Sequence, residues 1–388
     1  MFQCKVYWFF MNNTIFLLKV WYNFGRWSDC MKVIMVAGGT GGHIYPALAI
    51  INKIKEQEPN SEFLYIGTTD RMEKDIIPKN NIPFKGIEMK GLDRKNIFGN
   101  IKVLKMFLKA VGEAKKIIKE FQPDIVIGAG GYITAPVLYA AHKLKVPILI
   151  HEQNSIPGVS NKFIGKFANK ICVSLPNSLN LFPKDKVVYT GNPRSEEIMK
   201  VEKKLKSSLG FKEKEKLVVI VMGSLGSTTM TTKLKELIPS FKNKNYQVLI
   251  ITGNAYYDNY KDVNLPDNCK LMPFMSDLIC LLKDSDLIVS RAGASTISEI
   301  TAIGLPSILV PSPFVTNNHQ YKNAKELADK GACVIVEEEE FSKDRILREI
   351  DAIFDDKELY QNMKKQSKEL GVSDSASRIY EEAKRIVR

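Results

Sequence analysis

The sequence has few cysteines and histidines, and their spacing excludes two common kinds of stabilising site. Six cysteines are scattered over 388 residues without a C-x-x-C pair, and there are four histidines. Disulfide frameworks and zinc sites need such side chains in clusters. We therefore predict neither of them, and we expect a reducing, cytosolic compartment. The cysteines are Cys4, Cys30, Cys172, Cys269, Cys280 and Cys333, and the histidines are His43, His142, His151 and His319.

The sequence also lacks an excess of acidic residues. Lys and Arg outnumber Asp and Glu by 56 to 43, which gives a formal net charge of +13. Such an excess favours a phosphorylated, nucleic-acid-like or anionic-bilayer partner, and charge alone does not choose among them. No nucleic-acid recognition motif accompanies the basic residues, so we expect no nucleic-acid partner.

No apolar run is long and clean enough to predict a membrane span, even among the first thirty residues. These contain all three tryptophans but are interrupted by Lys5 and Lys19, whereas a spanning helix needs about 20 mostly apolar residues. They also lack the basic start and cleavage site of a secretory signal. We predict residues 1–30 to be an extension produced by an upstream start site, with an interfacial aromatic anchor as the alternative.

From Met31 onward, short β-branched runs alternate with longer helical patterns, which predicts an α/β fold with parallel sheets covered by helices. The chain is about twice the usual domain length, and a turn signal at residues 191–194 separates two strand–helix series. We predict two doubly wound, Rossmann-like halves, residues 31–193 and 194–369, facing each other across a cleft. The predicted strands are 32–37, 62–67, 124–128, 147–151, 170–173 and 187–190, then 217–222, 247–252, 287–290, 307–310 and 333–336.

The first predicted strand runs directly into a glycine-rich loop, GGTGGH at residues 38–43, and Pro46 suits the first turn of the following helix, through about Lys55. Such a loop lets backbone N–H groups approach an anion at a helix N-terminus. The alternatives are a dinucleotide fingerprint and a simple tight turn. The spacing is not GxGxxG and the next strand has no acidic residue at its tip, since Asp70 lies beyond it, so an NAD site is disfavoured.

Two more glycine clusters follow predicted strands, at residues 128–132 (GAGGY) and 223–227 (GSLGS). Open α/β sheets bind ligands at the carboxyl ends of their strands. Three glycine loops at such ends, on two halves facing one cleft, therefore indicate a ligand site between the halves.

The segment 286–320 combines a strand, the loop RAGA and the residues STISE at 295–299. Thr296 and Glu299 fit a capping box, which would make the glutamate structural. The alternative is that the helix N-terminus holds a diphosphate while Glu299 accepts hydrogen bonds from ribose hydroxyls. The residues alone leave both open.

Taken together, these motifs resemble the MurG family, the undecaprenyldiphospho-muramoylpentapeptide β-N-acetylglucosaminyltransferases. The resemblance covers Met31 to the C-terminus. It rests on residues 38–43, 128–132, 151–154 (HEQN), 191–194 (GNPR), 223–226, 291–299 and 319–324 (HQYKNA), which occur in the order and approximate spacing of the family. Leu225 departs from the family pattern, which usually has glutamine there, and His319 replaces a glutamine of some members.

The resemblance implies a GT-B fold, with the sugar nucleotide held mainly by the second half and the lipid acceptor by the first, and a final helix, within residues 370–388, that crosses back to the first half. It implies transfer of N-acetylglucosamine from UDP-N-acetylglucosamine to the muramyl 4-hydroxyl of the undecaprenyl-pyrophosphoryl-linked pentapeptide precursor. The implied donor contacts are Thr40, Gly41, Gly42, Asn154, Arg194, Ser224, Met275, Ala294, Ser295, Thr296, Glu299, His319 and Gln320. The implied acceptor contacts are Gly39, His43, Gly130, Gly131 and Tyr132.

An inverting transfer needs a base for the acceptor hydroxyl, and His43 is the best candidate because it ends the first glycine loop and its ordinary pKa lies near working pH. The alternative is a histidine that only hydrogen-bonds its own loop. His151 and Glu152 are interpreted as orienting or loop-fixing residues. Helix ends and Arg194 can stabilise the leaving diphosphate, so we predict no required metal ion and no cofactor.

A basic, apolar segment at residues 92–119 predicts a membrane-facing helix. Ile97, Ile101, Leu104, Leu108 and Val111 recur at helical spacing, which usually indicates core. The other apolar residues, Phe98, Met106 and Phe107, would then dock on anionic lipid together with the basic side chains. The predicted membrane contacts are Arg94, Lys95, Phe98, Lys102 and Lys105.

We therefore expect a peripheral enzyme on the cytoplasmic side of the cell membrane, with cell-wall synthesis and division proteins as possible partners. The competing interpretations are a UDP-N-acetylglucosamine epimerase, another GT-B transferase with a soluble acceptor, and a silent sugar-nucleotide-binding scaffold, which the Leu225 departure would suit.

Overall fold

The structure is a computed structural model and describes residues 3–11, 14–22, 30–91, 100–222 and 228–387. The first two ranges form a hairpin in which β1 (Gln3–Met11) pairs antiparallel with β2 (Thr14–Tyr22) as a separate sheet. The origin of residues 1–30 is not tested by this pairing and stays a prediction. In the described part of the chain, no helix has both the length and the apolar character that crossing a membrane requires.

The sheet of the first half consists of β3 (Lys32–Val36), β4 (Glu62–Thr68), β5 (Phe84–Ile87), β6 (Ile125–Gly128), β7 (Ile148–Glu152), β8 (Lys170–Val173) and β9 (Val187–Tyr189). They are parallel, in the order β5-β4-β3-β6-β7-β8-β9. Along β3, Val33 and Met35 join the apolar cluster on one face, while Ile34 and Val36 join the cluster on the other. Because helices cover both faces, successive residues of the strand are apolar.

The sheet of the second half consists of β10 (Lys216–Val221), β11 (Tyr246–Ile251), β12 (Cys269–Met272), β13 (Leu287–Ser290), β14 (Ser307–Leu309) and β15 (Cys333–Ile335). It is also parallel, in the order β12-β11-β10-β13-β14-β15. The predicted α/β fold of two doubly wound halves is thus confirmed. Each predicted strand is present within one residue at either end, whereas β5 and β12 were not predicted.

Helices cover both sheets. Those of the first half are α1 (Gly41–Gln57), α2 (Glu73–Lys79), α3 (Asn100–Phe121), α4 (Thr134–Lys143) and α5 (Val159–Ile164). The chain then continues through α6 (Arg194–Lys200), α7 (Thr228–Leu237), α8 (Leu278–Leu282), α9 (Ala294–Ile303), α10 (His319–Ala328), α11 (Lys343–Asp355), α12 (Lys357–Leu370) and α13 (Ser375–Val387).

Helix α13 packs against the first half of the chain. The Tyr380 hydroxyl donates to Glu58 Oε1 over 2.8 Å, and Glu382 pairs with Lys170 over 3.2 Å. Both partners belong to the first half, so the C-terminal helix ties the end of the second series to the first sheet. The domain limits at residues 193 and 369 stay a prediction.

Helix α1 begins earlier than predicted. It starts at Gly41, so Pro46 lies in its second turn and not in its first. The backbone N–H groups of His43 and Ile44 both donate to the Thr40 carbonyl, over 3.0 and 3.2 Å. These bonds close the first turn before the proline is reached, which places His43 inside the helix and not in the loop before it.

The apolar face of α3 is oriented differently from the prediction. Of the described residues assigned to the core, only Val111 is buried, whereas Ile101, Leu104 and Leu108 are 59%, 60% and 64% exposed. Met106 and Phe107, which were assigned to lipid, pack instead against the core of the first half. Met106 lies two residues after Leu104, which places the two side chains nearly half a turn apart, and the sheet covers the face that Ala110, Val111 and Ala114 share. The exposed set is therefore a second apolar stripe, next to the exposed Lys102 and Lys105.

Candidate active site

The first glycine loop holds His43 in one orientation. Its Nδ1 lies 3.0 Å from the Gly38 carbonyl oxygen, and because a carbonyl only accepts, Nδ1 carries the proton. The unprotonated Nε2 is then the nitrogen that can accept a proton from a substrate. Burial lowers the pKa of His43, while the hydrogen bond to Gly38 opposes this shift. The imidazole is thus held as a neutral acceptor at working pH.

The second glycine loop packs directly on the first. Gly130 and Gly131 have φ values of +100° and +92°, and a Cβ on Gly130 would lie 2.6 Å from His43 Cδ2. A Cβ on Gly131 would lie 2.3 Å from the Gly38 carbonyl oxygen. The Gly38 N–H donates to the Gly130 carbonyl over 3.2 Å. Only glycine fits this contact, and it brings the predicted acceptor residues Gly39, Gly130, Gly131 and His43 together, with the half-buried Tyr132 beside them.

The HEQN segment at the end of β7 is fixed mainly by Glu152. This buried carboxylate accepts from the N–H groups of Asn154 and Gly158 and from the Asn161 side chain, over 2.9, 3.1 and 2.9 Å. Burial raises the pKa of Glu152, although these hydrogen bonds oppose the shift. His151 is also buried, near Ser174 and the Gly191 carbonyl, and burial lowers its pKa to about 4. These contacts fit the loop-fixing interpretation.

The N-terminus of α9 differs from the capping-box interpretation. The N-cap is Gly293, without a side-chain cap, so Ala294, Ser295 and Thr296 are the first three helical residues and Glu299 lies in the second turn. Thr296 cannot act as the N-cap, and the capping role of Glu299 is therefore wrong. The first backbone N–H groups of a helix have no partner within it, and here they stand at the carboxyl end of β13. The Ser295 hydroxyl is buried and has no hydrogen-bond partner among the described residues.

Arg194 and Glu299 meet where the two halves approach each other. Arg194 Nη2 lies 3.8 Å from Glu299 Oε1, and its Nη1 pairs with Glu197 on α6. The guanidinium also lies 5.8 Å from the centre of the Tyr45 ring on α1. Burial raises the pKa of Glu299, which the charge of Arg194 partly offsets. A cation and a carboxylate thus face the space between α1 and α9.

His319 and Gln320 open α10 opposite the first glycine loop. His319 Nδ1 lies 2.9 Å from the Thr316 carbonyl oxygen, and its charge acts on His43 across the cleft. Gln320 Oε1 accepts from the Ser312 N–H over 2.9 Å, which leaves its amide N–H groups for a ligand. Met275 is 7% exposed in a loop after β12. In the second half, the described donor residues therefore lie at the starts of α6, α9 and α10 and in the loop after β12, whereas Thr40, Gly41, Gly42 and Asn154 belong to the first half.

One turn further along α10, Asn323 joins the two halves. This fully buried side chain accepts from the Ser155 N–H over 2.8 Å and donates to Asn154 Oδ1 over 3.2 Å and to the Ala292 carbonyl over 3.4 Å. Asn154, predicted near the transferred sugar, is thus held from both sides, since its own amide donates to Glu152 over 3.3 Å.

Some predicted residues lie outside the described part of the chain. These are the third glycine loop at 223–227 with Ser224 and Leu225, and the membrane residues Arg94, Lys95 and Phe98. One functional candidate was missed: Glu73, a buried carboxylate beneath the first glycine loop. The available signal was an acidic residue that opens a helix shortly after the tip of β4.

Comparisons with known proteins identify the family. The family model described as "Glycosyltransferase family 28 N-terminal domain" matches residues 33–173, and the model of the family's C-terminal domain matches residues 217–379. A relative from Bacillus cytotoxicus, named UDP-N-acetylglucosamine–N-acetylmuramyl-(pentapeptide) pyrophosphoryl-undecaprenol N-acetylglucosamine transferase, is 45% identical over 363 residues, which are 92% of this chain and 100% of the relative.

Solved structures agree with this assignment. The crystal structure of MurG from Acinetobacter baumannii has a TM-score of 0.74 at 27% identity, over 92% of this chain and 99% of that one. A UDP-N-acetylglucosamine 2-epimerase from Neisseria meningitidis, solved with UDP-N-acetylglucosamine, has a TM-score of 0.63 at 15% identity, over 92% and 100%. The second likeness shows only the shared GT-B architecture. The chain belongs to the MurG family, within glycosyltransferase family 28.

Proposed function

We propose that this chain transfers N-acetylglucosamine from UDP-N-acetylglucosamine to the 4-hydroxyl of the muramyl sugar in an undecaprenyl-pyrophosphoryl-linked muramyl-pentapeptide, with inversion at the anomeric carbon. The observation that carries the proposal is the 45% identity over the full length of a transferase with that named donor and acceptor. The chain is accordingly a hexosyltransferase that uses a UDP-sugar. The epimerase likeness, at 15% identity, supports the fold alone.

The donor is expected to bind at the second half. The free N–H groups of Ala294, Ser295 and Thr296 suit the diphosphate, and Glu299 in the next turn of α9 suits the ribose hydroxyls. Arg194 would exchange part of its pairing with Glu197 and Glu299 for the phosphates. The backbone at Met275 suits the uracil, and His319, Gln320 and Asn154 suit the sugar, while Ser224 remains a predicted phosphate contact.

The acceptor is expected to bind at the paired glycine loops of the first half, formed by Gly39, Gly130 and Gly131 beside Tyr132. Thr40, Gly41 and Gly42 begin α1 at the same edge and face the donor. In the reaction, the muramyl 4-oxygen forms a bond to the anomeric carbon as that carbon's bond to the UDP oxygen breaks. His43 Nε2 takes the hydroxyl proton, and the bonding electrons leave with UDP, whose growing charge the α9 N-terminus and Arg194 stabilise.

The reaction is tested by UDP release from UDP-N-acetylglucosamine with and without the lipid-linked muramyl-pentapeptide. We expect release only when the acceptor is present, together with a disaccharide product found by mass spectrometry. An acceptor whose muramyl sugar lacks the 4-hydroxyl is the matched control and should be inert. Release that ignores the acceptor would indicate a hydrolase or epimerase, and an absence of both binding and release would favour a silent scaffold.

We propose that the chain binds its lipid-linked acceptor at an anionic membrane surface, on the cytoplasmic side of the membrane. Ile101, Leu104 and Leu108 form the exposed stripe on α3, and Val159 and Phe163 on α5 are 58% and 38% exposed. The Phe163 ring contacts the Phe107 ring, with centroids 6.4 Å apart, so the two helices share one surface. The exposed lysines Lys102, Lys105, Lys109, Lys162 and Lys166 belong to the same helices or follow them directly. Apolar residues with basic neighbours suit insertion at anionic headgroups.

Replacing Lys102 and Lys105 together by glutamine should weaken binding to phosphatidylglycerol vesicles at low salt by about 25-fold, since each basic residue near such a surface contributes roughly fivefold. Flotation at several salt concentrations should also show a smaller salt dependence, with UDP affinity unchanged. The control is Lys116→Gln with Lys119→Gln, at exposed positions of the same helix beyond the apolar stripe. Equal losses in the two variants would show that only total charge matters and would remove this surface from the proposal.

A further inference from the structure

Glu73 is a fully buried carboxylate directly beneath the first glycine loop. Its Oε1 accepts from the Thr68 N–H over 2.9 Å and from the Thr68 hydroxyl over 2.6 Å. Its Oε2 accepts from the Gly39 N–H over 3.2 Å. The carboxylate therefore connects the tip of β4 to the loop that leads into α1.

The surrounding backbone is shaped to admit this carboxylate. A Cβ on Gly38 would lie 2.5 Å from Glu73 Oε1, and a Cβ on Gly67 would lie 2.6 Å from Glu73 Cγ. Both distances are shorter than real Cβ contacts allow, so a larger residue at either position would displace the carboxylate. The two glycines, one in the loop after β3 and one in β4, therefore leave the space that the Glu73 side chain occupies.

The charge of Glu73 is not explained by an ion pair. Within the described ranges, no Lys or Arg lies within salt-bridge distance of its carboxylate, in contrast to Glu196, which pairs with Lys53 over 2.8 Å. Burying a carboxylate without a cation is unfavourable for folding. Three hydrogen bonds from Thr68 and Gly39 hold the carboxylate instead, and the one from Gly39 gives it a role in the chemistry of the loop.

The hydrogen bonds show what that role is, because the Gly39 N–H and the Gly38 carbonyl belong to one peptide group. Glu73 accepts from its N–H, and His43 Nδ1–H donates to its oxygen over 3.0 Å. The two ends of a peptide group polarise each other when both are hydrogen-bonded. A carboxylate on the N–H makes the carbonyl a stronger acceptor for the imidazole.

We propose that Glu73 is the positioning residue for His43, acting through the single Gly38–Gly39 peptide to fix its tautomer and to stabilise the imidazolium that forms when Nε2 takes the acceptor proton. The inference rests on the proposed role of His43 as the base. The arrangement resembles a carboxylate–imidazole–hydroxyl triad in which a peptide group lies between the carboxylate and the imidazole.

The electrostatic environment of His43 fits this arrangement. The charged or titratable groups that act on it are Glu73, on α2 beneath the loop, and His319, on α10 across the cleft. Burial and the His319 charge lower the pKa of His43, whereas the Glu73 charge raises it. Removing the carboxylate therefore lowers the pKa of His43 further, so Nε2 has a lower affinity for the acceptor proton.

The test is Glu73→Gln in the full chain. We expect kcat to fall about 10- to 100-fold, less than the roughly 10²–10⁴-fold that a general base supplies, and the acid limb of the kcat/KM profile to move to lower pH. With four histidines in the chain, the His43 imidazole can be assigned by comparison with His43→Asn, and its NMR titration should move in the same direction.

Two controls separate charge from structure. Thr68→Val removes one hydrogen bond to Glu73 but keeps the charge, so its acid limb should stay in place. Glu58→Gln removes another buried carboxylate, at the opposite end of α1, and should leave both kcat and the acid limb unchanged. If Glu73→Gln does not fold, a folded Glu73→Asp variant, which keeps the charge but withdraws it from Gly39, should still lower kcat.

A folded Glu73→Gln or Glu73→Asp variant with normal kcat and an unmoved acid limb would overturn the inference. If His43 is not the general base, the result is different, because His43→Asn would then keep near-normal kcat. If His43→Asn is inactive while Glu73→Gln behaves like the parent chain, only the role of Glu73 falls.

Discussion

His43→Ala should lower kcat by about 10²–10⁴-fold while leaving the affinity for UDP nearly unchanged, because general-base help is felt only as the transition state forms. The Nε2 atom is the one nitrogen of this ring not held by the backbone, since Nδ1 donates to Gly38. Burial keeps the pKa of His43 below its ordinary value of 6.5. The acid limb of the parent kcat/KM profile should therefore lie below pH 6.5.

His43→Asn distinguishes a base from a loop anchor. The asparagine amide can still donate to the Gly38 carbonyl from about the position of Nδ1, but it has no group that takes a proton. If anchoring the loop were the whole role, the asparagine variant would retain most of the activity that alanine loses. We expect both variants to lose kcat to a similar extent and to bind UDP alike in calorimetric titration. His142→Ala, on α4, is the control for loss of a histidine as such and should behave like the parent chain.

Glu299→Gln should weaken the binding of UDP and of UDP-N-acetylglucosamine by about 10- to 150-fold, because a hydrogen bond to a charged group contributes roughly 1.5–3 kcal/mol. The expected cause is loss of the carboxylate that accepts from the ribose hydroxyls. The cap of α9 is Gly293, and Glu299 is not part of it. No loss of helix stability should therefore accompany the loss of binding.

The stability of the unliganded variant should not fall together with its affinity. Burial raises the pKa of Glu299 above its ordinary value. A carboxyl whose pKa is raised by folding stabilises the native state at low pH, and this contribution is lost as the pH rises through the folded-state pKa. Glu299→Gln removes a carboxyl whose charged form is disfavoured by burial, so its Tm should equal or exceed that of the parent chain near neutral pH.

Glu197→Gln is the matched control, because Glu197 also pairs with Arg194 but lies on α6. If Glu299 acted only by holding Arg194, both variants would lose UDP affinity to a similar extent. We expect a loss in Glu299→Gln alone, measured by calorimetric titration of UDP against the folded proteins. Unchanged affinity in Glu299→Gln would remove the ribose contact from the proposed donor site.

Strong local patterns made much of the fold predictable. Strands such as β3 and β10 are buried on both faces, so their apolar runs are continuous and easily recognised. The strands of the two parallel sheets that were missed, β5 and β12, are sheet edges in which half-buried or exposed positions predominate. An edge strand pairs on one side only and needs fewer apolar residues, so its pattern resembles a loop.

The edge of the sheets at which the candidate site lies was expected from the same kind of pattern, while the roles of its residues stay predictions. The first two glycine loops indicated His43 and Gly130, and the RAGA loop indicated the N-terminus of α9, because parallel strands bring their carboxyl ends to one edge. The residue at which α9 begins was not predictable, since Thr296 and Glu299 have the residue types and spacing of a capping box wherever the helix starts. The backbone conformation at Gly293 decided it.

By itself, the sequence determined two parallel α/β halves, the family and the loops that meet at the cleft, because each of these depends on local spacing. Only the tertiary structure decided which face of α3 is covered, since Leu104 and Met106 are both apolar and lie on nearly opposite sides of the helix, and the neighbouring sheet covers Met106 but leaves Leu104 exposed. The same holds for Glu73, whose charge meets His43 through one peptide group. That contact joins residues 30 apart in sequence, so only the folded chain could show it.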